Sequence, residues 1–477
     1  MHYLGRKLSE VVLRRKEVLV ITHIDADGIS AGSIACGCLL RAGIDHDIIF
    51  VKSLDEDSIR KIRERNPEFV WFTDIGAGSY DLILDIPGII TDHHVPSESF
   101  AGNRKGRLLS RVEVAGPSML NPHMYGLDGS LDISGAGATY IVAREMSREN
   151  SHLSGLAVVG AVGDMQDRNF RRLVGSNRRI LRDAVSGGWM RKDIDITYFG
   201  RETRPLPKLL TYSNDPLIPG LSGDYDSCVK FLDEVGVALK AGEGWRCWSD
   251  LKSSEKRNIV SSLATMLLKA GFSHTHIERI VGECYTLIRE RKRSPLRDAK
   301  EFATLLNSCG RYDRTDIGLR ICLGDRGKSL EEALDLLRVH RGYLVESLDI
   351  AEDMGIIELG YLQYFHGGRR IKDTVIGITA GMLMSSPEID KSLPLFAFAR
   401  SEEGVKVSAR GTKELVSMGL DLSVVMKEAA QSIGGAGGGH NIAAGATIPF
   451  NSEEEFLDLA EKIIRDQMMR GRTSSHP

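Results

Sequence analysis

The stretch Val18-Leu-Val-Ile-Thr-His-Ile-Asp-Ala-Asp-Gly28 joins an apolar run to three residues of the kind that bind metal ions. His23, Asp25 and Asp27 are two residues apart, so on an extended backbone their side chains project to the same face. A helical pattern follows Gly28. Two buried carboxylates beside each other repel unless a cation lies between them. The stretch therefore predicts a strand that ends in a metal site at a strand-to-helix turn.

The overall composition is that of an ordinary folded protein. At 477 residues the chain is too long for one core, and its length suggests about three domains. With 42% hydrophobic residues and a formal net charge of −3, binding of a polyanion needs a local basic face. No apolar run approaches the roughly 20 residues of a membrane span, the N-terminal residues do not resemble a signal peptide, and seven scattered cysteines fit reduced thiols. We expect a cytoplasmic protein.

Residues 1–195 alternate between short apolar strands and helical patterns. Strands are predicted at Glu17–Thr22, His46–Val51, Phe69–Thr73 and Gly88–Thr91, and helices at Gly28–Arg41 and Asp55–Arg65. This alternation is typical of an α/β domain with a parallel sheet covered on both faces, whose ligands collect beyond the carboxyl ends of the strands. Asp74 and the triplet Asp92-His93-His94 follow two of these strands. Asp164 ends the run Leu156–Gly163, which periodicity leaves open between helix and strand.

The remainder of the chain divides into an insert, a second α/β domain and a tail. Residues 196–345 are mostly helical in pattern, with helices predicted at Lys252–Met266, His276–Lys292 and Ser329–Val339. The basic run Arg289–Arg297 would suit phosphate, although a solvated helix end is the simpler explanation. Residues 346–470 predict strands at Thr374–Thr379, Leu393–Ala399 and Val405–Ala409, with a turn at 401–404, a helix at Leu422–Ser432, a strand to Ile448 and a helix from Glu453. Residues 471–477 are expected to be disordered.

The acidic and histidine residues make a joint pattern that favours metal binding. For any one of these residues alone, a structural role as a strand cap or as a hydrogen-bonded polar group is the simpler interpretation. Together, mixed imidazole and carboxylate ligands suit Mn²⁺ better than Mg²⁺. There are enough of them for two divalent ions, and a pair of ions about 3.5–4 Å apart is the usual arrangement for in-line attack on phosphorus. The predicted metal ligands are His23, Asp25, Asp27, Asp74, His93 and Asp164.

These motifs resemble those of the DHH phosphoesterases, a family that includes RecJ-type exonucleases, short-oligonucleotide hydrolases and manganese pyrophosphatases. The similar features are His-x-Asp-x-Asp-Gly after a strand, an isolated Asp after a second, Asp-His-His after a third, and a later Gly-Asp. The resemblance implies that His23, Asp25 and Asp74 hold one ion, and that Asp27, Asp74, His93 and Asp164 hold the other, with Asp74 bridging. It also implies catalytic roles for Asp92, which would orient the His93 imidazole, and for His94, which would face the scissile phosphate.

The C-terminal region resembles the substrate-binding domain associated with the same family. Gly437-Gly-Gly-His440, followed by Ala443-Ala-Gly445, is similar to its signature, and Ser408-Ala-Arg410 is similar to its phosphate-contacting strand. Successive glycines would let backbone N–H groups converge as an anion nest, and cationic side chains would add charge-assisted hydrogen bonds. The predicted substrate contacts are Arg400, Ser408, Arg410, Gly437, Gly438, Gly439 and His440.

The insert, together with Gly200-Arg-Glu-Thr-Arg-Pro205 and Asp215-Pro-Leu-Ile-Pro-Gly220, resembles that of archaeal RecJ-like proteins, including the nuclease associated with the GINS replication complex. The resemblance implies a two-metal exonuclease, with Mn²⁺ preferred over Mg²⁺, that releases 5′-mononucleotides from single-stranded DNA or RNA. It further implies a role in DNA replication or repair, with GINS bound through 196–345. Two alternatives stay open: a hydrolase of pyrophosphate, cyclic dinucleotides or very short oligonucleotides, and a replisome scaffold in which catalysis is secondary or absent.

Overall fold

The structure, a computed structural model, describes residues 1–97, 116–213, 215–384, 386 and 389–473, with side chains as far as residue 470. These residues form two compact units that divide between Leu337 and Arg338. Both units combine helices with a β-sheet, so the predicted α/β class is confirmed. Among the described residues, no helix combines the length and the apolar character needed to cross a membrane.

The first unit is built on a five-stranded, entirely parallel sheet in the order β2-β1-β3-β4-β5. Its strands are β1 (Glu17–His23), β2 (Asp45–Val51), β3 (Val70–Thr73), β4 (Gly88–Thr91) and β5 (Ser118–Leu120). The central strands are almost wholly buried, because both faces are covered and apolar side chains must point both ways. The four predicted strands are confirmed, whereas the sequence pattern does not predict β5.

Six helices that precede the inserted segment are described around this sheet. They are α1 (His2–Val12), α2 (Ala26–Ala42), α3 (Glu56–Glu64), α4 (Gly135–Met146), α5 (Ser154–Gly163) and α6 (Asn177–Ser186). Val18 and Trp71 point into a core shared with α1, α2, α4 and α5, while Ile21 and Phe72 point into a smaller core with α3. The ambiguous run Leu156–Gly163 belongs to helix α5, which is apolar on all sides because other elements enclose it.

A segment with its own core is inserted between two paired strands. β6 (Met190–Ile196) and β9 (Val281–Leu287) form an antiparallel ladder, so the two ends of the intervening segment lie side by side. Leu209, Trp248 and Leu263 are buried in the core of that segment. Its elements are α7 (Leu206–Thr211), α8 (Tyr225–Glu234), β7 (Lys240–Ala241), β8 (Gly244–Trp245), α9 (Ser253–Lys269) and α10 (His274–Ile277).

The helix predicted at His276–Lys292 is wrong. Helix α10 ends at Ile277, and the residues from Val281 to Leu287 form strand β9. Five consecutive residues of β9 are buried, and each residue pairs with one of β6. The partner strand lies far away in sequence, so a non-local pairing overrides the local helical pattern.

Three helices follow the insertion. They are α11 (Ala299–Arg311), α12 (Thr315–Cys322) and α13 (Lys328–Met354). Phe302 and Leu306 of α11 are buried in the same core as Ile29 of α2. The core of the parallel sheet is therefore completed by residues that follow the insertion. Short 3-10 helices cover Tyr80–Ile83, Pro122–Tyr125, Arg148–Leu153, Trp248–Asp250, Glu278–Ile280 and Pro295–Arg297.

The second unit is a six-stranded mixed sheet in the order β10-β11-β12-β13-β15-β14. Its strands are β10 (Ile357–Glu358), β11 (Gln363–Gly368), β12 (Leu395–Arg400), β13 (Val405–Arg410), β14 (Ala436–Gly439) and β15 (Ala443–Ile448). Its helices are α14 (Asp373–Leu383), α15 (Lys413–Ser417), α16 (Leu422–Ser432) and α17 (Glu453–Thr473). The hairpin predicted through residues 401–404 is confirmed. Helix α17 includes the first part of the predicted tail, and 474–477 lie outside the described residues.

The strand predicted at Thr374–Thr379 is wrong, because these residues lie in helix α14. β-branched residues such as Val375 and Ile376 favour strands when packing does not decide. Here they are buried with Ala380 and Leu383 at helical spacing. Ile376, Ala380 and Leu383 pack against Phe365 and other residues of the sheet, and this tertiary packing decides the conformation.

Candidate active site

The carboxyl ends of three parallel strands bring the predicted metal ligands to one edge of the first sheet. His23 is the last residue of β1, Asp74 follows β3, and Asp92 follows β4. The register aligns Thr22, the residue before His23, with the last residues of β3 and β4, so the following side chains lie close together. The carboxyl end of helix α5 carries Asp164 to the same place.

The six predicted ligands fall into two groups, each of three residues whose ligand atoms lie within 4.8 Å of one another. His23, Asp25 and Asp74 form one group, and Nδ1 of His23 lies 3.0 Å from Oδ2 of Asp25. The second group consists of Asp27, His93 and Asp164, with Nε2 of His93 3.1 Å from Oδ2 of Asp164 and 3.8 Å from Oδ2 of Asp27.

Asp74 belongs to the first group, also approaches the second, and has a strained backbone. Its φ is +57°, in the left-handed region, which an Asp tolerates better than most residues. Oδ1 lies 3.2 Å from Nε2 of His93, and Oδ2 lies 3.8 Å from Nδ1 of His23. Both oxygens are buried, and neither accepts a hydrogen bond from any group in the described part of the chain. Since a buried carboxylate without a donor is costly, this geometry fits a bound cation.

Asp27 is held at the start of helix α4. The backbone N–H groups of Gly135 and Ala136 donate to its two oxygens at 2.6 and 3.1 Å, where the helix dipole also favours a negative charge. Close approach requires glycine at two positions: a Cβ on Gly135 would lie 2.3 Å from Oδ1 of Asp74, and one on Gly160 would lie 2.2 Å from Oδ1 of Asp27. The sequence prediction missed both glycines. The helix start Ser134-Gly-Ala-Gly137 offered a signal for Gly135, whereas Gly160 lies inside the apolar run Leu156–Gly163.

The geometry of the triplet Asp92-His93-His94 differs from the prediction that Asp92 orients the His93 ring. Asp92 does not orient the His93 imidazole: its Oδ1 accepts hydrogen bonds from Nδ1 of His94 at 2.8 Å and from the His93 backbone N–H at 2.7 Å. Instead, Nδ1 of His93 is 2.7 Å from the carbonyl of Gly129. Asp92 is fully buried, whereas the His94 side chain is 55% exposed. Because Nδ1 of His94 is engaged, Nε2 is the ring nitrogen that can meet a phosphate.

The electrostatics of the cluster match a site that needs cations. Burial and the carboxylates of Asp27 and Asp25 raise the pKa of Asp74 well above its ordinary value. Burial and Asp27 raise the pKa of Asp164 to about 7. Burial acts to lower the pKa of His93, but Asp164 and Asp27 outweigh it and raise that pKa to about 9. The cluster therefore holds protons where divalent cations would otherwise balance the charge.

Asp25 behaves differently because it also caps a helix. Its Oδ1 accepts the N–H of Gly28 at 2.9 Å at the start of α2. Burial opposes its ionisation, yet the neighbouring His23 and this N–H hold the pKa of Asp25 below its ordinary range. The side chain is 38% exposed, in contrast to the fully buried Asp27 and Asp74. The cluster thus has a buried floor, and Asp25 and His94 lie on its solvent side.

Helix α11 adds two residues that the sequence prediction missed. Oδ1 of Asn307 accepts the N–H of Ala26 at 2.9 Å, next to Asp25. Arg311, the last residue of α11, is half-buried beside Asp25, and burial lowers the pKa of its guanidinium. A guanidinium at this position can donate two hydrogen bonds to a phosphate. The local signal is Leu305-Leu-Asn-Ser-Cys-Gly-Arg311, which carries no charge pattern that stands out in the sequence.

In the second unit, Ser408 and Arg410 project from the same face of β13, since they are two residues apart. They lie against helix α14, where a Cβ on Gly377 would approach Nη2 of Arg410 to 2.8 Å and Oγ of Ser408 to 3.1 Å. Ser408 is buried, and burial lowers the pKa of Arg410. Nη1 of Arg410 donates to the carbonyl of Ala409 at 2.8 Å.

The Gly-rich segment is a strand and not an anion nest. Gly437, Gly438 and Gly439 belong to β14, an edge strand that pairs with β15. In an extended strand successive N–H groups point in alternating directions, so they cannot converge on one anion. Gly438 lies in register with Gly445, which pairs with Ser408, and His440 is exposed in the turn after β14.

Arg400 is not brought together with the other predicted contacts. It pairs with Val405 at one end of the β12–β13 hairpin, while Arg410 pairs with Leu395 at the other end. Five residues of strand separate the two positions, which is about 17 Å. Paired residues share a face, so Arg400 also projects from the opposite face to Arg410. Its guanidinium instead lies 4.8 Å from the ring centroid of Phe450.

The basic run Arg289–Arg297 is largely engaged within the protein. Arg293 forms an ion pair with Asp250 at 2.6 Å, and Arg297 lies 3.5 Å from Glu202. Arg289 lies over the ring of Trp189. These contacts disfavour phosphate binding. The expected solvated helix end is also wrong, because the run follows strand β9 and ends in the 3-10 helix Pro295–Arg297.

Comparisons with known proteins match two segments of the chain to domain families and nearly the whole chain to one relative. Residues 198–281 match the DHH-CID domain and residues 360–466 match the DHHA1 domain. A protein of Methanocaldococcus jannaschii, Uncharacterized protein MJ0831, is 31% identical over 461 residues, which make up 95% of this chain and 94% of that protein.

Solved structures share the fold at low sequence identity. RecJ from Thermus thermophilus in complex with Mn²⁺ has a TM-score of 0.59 at 15% identity; the match covers 98% of this chain and 55% of that one, so this chain spans about half the RecJ length. A second exonuclease RecJ bound to manganese has a TM-score of 0.56 at 15% identity, over 98% and 96%. CDC45 from Entamoeba histolytica has a TM-score of 0.63 at 11% identity, over 97% and 98%.

The long alignment with the M. jannaschii protein, the two domain matches and the shared fold agree with one another. This chain belongs to the same family as that protein, and it is a DHH-family protein with a RecJ-like fold.

Proposed function

We propose that this protein is a metal-dependent phosphodiesterase that degrades single-stranded nucleic acid from an end and releases 5′-mononucleotides. One observation carries the proposal: Asp74 presents two buried oxygens without hydrogen-bond donors in the described chain, one toward His93 and one toward His23. A carboxylate placed in this way can bridge two cations. The likeness in fold to two Mn²⁺-bound RecJ structures supports the same assignment.

In this proposal, His23 and Asp25 hold one cation, Asp27, His93 and Asp164 hold the other, and Asp74 contributes to both. Mixed imidazole and carboxylate ligands favour Mn²⁺ over Mg²⁺. Divalent cations bound there supply Lewis acidity for the attack of water on phosphorus.

The surrounding residues keep this ligand set in place and meet the substrate. The Gly129 carbonyl fixes the His93 ring, so that Nε2 faces the cluster. Asp92 holds the exposed His94 ring by Nδ1 and, against the effect of burial, raises the pKa of His94. The protonated ring then donates a hydrogen bond from Nε2 to a phosphate oxygen of the substrate. Arg311 contributes a second positive charge beside Asp25.

Ser408 and Arg410 are the proposed phosphate contacts of the second unit. The half-buried guanidinium and the neighbouring hydroxyl are two hydrogen-bond donors of the kind that bind phosphate oxygens. Gly377 makes room for both side chains against helix α14. Contacts of this kind to the sugar-phosphate backbone make binding weaker as salt increases.

The test is digestion of single-stranded DNA and RNA 20-mers, each labelled at either end, with Mn²⁺ and with Mg²⁺. We expect mononucleotide products with Mn²⁺. Asp74→Asn keeps the size of the side chain and should reduce kcat by at least about a thousandfold, because the carboxylate that both cations share is lost. Asp57→Asn, an exposed residue of α3, is the matched control and should retain full activity.

The same preparation should also be assayed against pyrophosphate and a dinucleotide. Hydrolysis of these compounds without hydrolysis of either 20-mer would replace the exonuclease proposal with that of a small-phosphate hydrolase. A fully active Asp74→Asn variant would remove the bridging role.

We propose as a second candidate function that the inserted segment between β6 and β9 binds a protein partner such as GINS. The fold likeness to CDC45 along nearly the whole chain favours this candidate. The segment has its own core and its ends lie side by side, since Ile196 pairs with Val281. It can therefore be removed without disturbing the β6–β9 ladder.

The experiment replaces residues 198–279 with a short turn and measures co-purification of GINS. Asp195→Asn, Asp298→Asn and Glu301→Gln should accompany the replacement, because these carboxylates would otherwise lose their hydrogen-bond donors. The lost donors are Arg201, Trp248 and Lys256 for Asp195, Arg201 for Asp298, and Glu202 and Thr203 for Glu301. Asn at position 298 remains a good N-cap for α11. We expect the partner to be lost and nuclease activity to remain. Co-purification that survives the replacement would contradict this assignment.

A further inference from the structure

Met165 has a backbone conformation that methionine rarely adopts. Its φ is +57°, in the region that disfavours any side chain with a Cβ. The backbone here forms the cap that ends helix α5. The N–H of Met165 donates to the carbonyl of Val162 at 3.0 Å, and that of Gln166 donates to Ala161 at 3.0 Å. In this type of cap, glycine is the usual residue at the position of Met165.

Other helices of this chain follow the preference for glycine at this cap position. At the ends of other helices with the same pair of backbone hydrogen bonds, the residue with positive φ is glycine: Gly43, Gly188, Gly236, Gly271, Gly324, Gly419 and Gly434. Asp313, after α11, is another exception, but a short polar side chain tolerates the left-handed region better than a long apolar one. The geometry of the cap therefore does not explain why a long apolar side chain occupies this position, and a contact made by the side chain would.

The Met165 side chain lies on the solvent side of a rigid turn beside the metal-ligand cluster. The residue is 61% exposed, although methionine is usually buried. Asp164 precedes it. Gln166, which follows, is fixed by a hydrogen bond from its Nε2 to the Gly129 carbonyl at 3.0 Å, and Asp167 pairs with Lys300 at 3.3 Å.

A basic side chain adjoins this exposed thioether. Nη1 of Arg168 lies 3.9 Å from Sδ of Met165. Arg168 is itself 62% exposed and lies 3.8 Å from Asp215. An apolar side chain is therefore held next to a cation, within one residue of the ligand Asp164. A nucleotide offers both matching groups, an aromatic base and a phosphate.

We propose that Met165 contacts the nucleobase next to the phosphate that is cleaved. The inference rests on the proposed function and specifies how the same site distinguishes a nucleotide from other phosphoesters. A thioether packs favourably against an aromatic ring, and such a contact accepts every base because each has a π-face. Glycine at this position would improve the cap and remove the contact.

The test compares Met165→Gly and Met165→Leu with the wild-type enzyme on single strands, one intact and others with an abasic site at the first or second nucleotide from the cleaved end. If Met165 contacts one of these bases, Met165→Gly should raise KM for the intact strand roughly three- to tenfold. It should have no further effect on the strand that lacks that base, and kcat should stay unchanged. Met165→Leu keeps the apolar bulk and should restore most of the affinity.

Thermal unfolding provides a readout that does not depend on activity. Met165→Gly should raise Tm by roughly 2 °C, because it relieves the left-handed strain. Asn66→Gly is the matched control. Asn66 also has a positive φ, of +44°, but it lies before β3 and therefore at the opposite edge of the sheet, so KM should not change.

The outcomes separate the inference from the function on which it rests. Two outcomes would overturn the contact and leave the proposed nuclease activity standing. In the first, Met165→Gly raises Tm but leaves KM unchanged. In the second, the effects of Met165→Gly and of base removal on KM multiply at both abasic positions. A wild-type enzyme that hydrolyses none of the strands overturns the proposed function and the contact together.

Discussion

The two groups of predicted site residues, one in each unit, differ in how well the fold brings them together. All six predicted metal ligands of the first unit lie in one cluster at the sheet edge. In the second unit, Arg400 and Arg410 lie at opposite ends and on opposite faces of the same hairpin. The reason is topological. The carboxyl ends of parallel strands meet at one edge, so motifs that follow strands converge, whereas antiparallel neighbours run in opposite directions and separate them.

The two regions also differ in the space around one glycine of each. In the cluster of the first unit, a Cβ on Gly160 would lie 2.2 Å from a carboxylate oxygen of Asp27. On strand β14 of the second unit, a Cβ on Gly438 would meet no atom within 4 Å in the described structure. Gly160 is therefore enclosed by the buried charge of its cluster, whereas Gly438 borders open space that a ligand can occupy.

Among the glycine and arginine variants that compare the two regions, Gly160→Ala should have the largest effect. The added methyl group must displace the Asp27 carboxylate, so we expect activity to fall by at least about a hundredfold and Mn²⁺ binding to weaken, as for the loss of a metal ligand or its support. Activity assays and Mn²⁺ calorimetry measure the two effects. Gly342→Ala, on an exposed part of α13 where a Cβ has open space, is the control. A Gly160→Ala variant with normal Mn²⁺ affinity would contradict the assignment of Asp27 as a ligand.

The affinity for Mn²⁺ should rise more than about tenfold between pH 6 and pH 8. The cation must displace protons from Asp164, whose pKa is raised to about 7, and from His93, whose pKa is raised to about 9. Calorimetry at the two pH values checks this prediction. An affinity independent of pH would show that these two side chains are not ligands.

The metal-free protein should show the opposite dependence of stability on pH. The folded-state pKa values of Asp164 and His93 lie above their ordinary values, so between about pH 4 and 9 the folded state binds more protons than the unfolded state. Their contribution to stability is present at low pH and is lost as the pH rises through about 7 and then about 9. The values of Tm measured with and without Mn²⁺ should therefore diverge as the pH rises. A difference in Tm that stays constant with pH would contradict the raised pKa values of Asp164 and His93.

A smaller effect should distinguish the two arginines of the hairpin. Arg410→Ala should raise KM for a single strand about tenfold, because it removes a charge-assisted contact to phosphate. Arg400→Ala, a matched loss of one positive charge, should change KM less than about twofold, since it lies about 17 Å away on the other face. Steady-state kinetics at one salt concentration gives both values. Equal effects of the two substitutions would point to general charge and not to a site at Arg410.

The smallest expected effect is that of Gly438→Ala. The Cβ meets no protein atom, so Tm should not fall by more than about 1 °C. If substrate lies over the row that joins Gly438, Gly445 and Ser408, the methyl group should raise KM by about two- to fivefold. An unchanged KM would place the substrate away from this row.

The sequence was most informative where function depends on adjacent residues. The ligand types and their order after successive strands could be predicted from local motifs, as could the hairpin β12–β13. The helix at 373–383 and the strand at 281–287 could not, since Ile376 and Cys284 take their conformations from packing and pairing with residues distant in the chain. The supporting residues Gly135, Gly160 and Arg311 were missed for the same reason: no local pattern marks a residue whose role is its distance from another element.

By itself, the sequence determined the α/β class, four strands of the parallel sheet and which predicted metal ligands follow them, because apolar runs and the residues after them are local properties of the chain. Only the tertiary structure decided which oxygen of Asp74 faces which histidine, that Asp92 holds the imidazole of His94 and not that of His93, and that the glycine-rich segment is an edge strand. These features depend on distances and orientations between elements, and the chain acquires them only when its strands and helices pack.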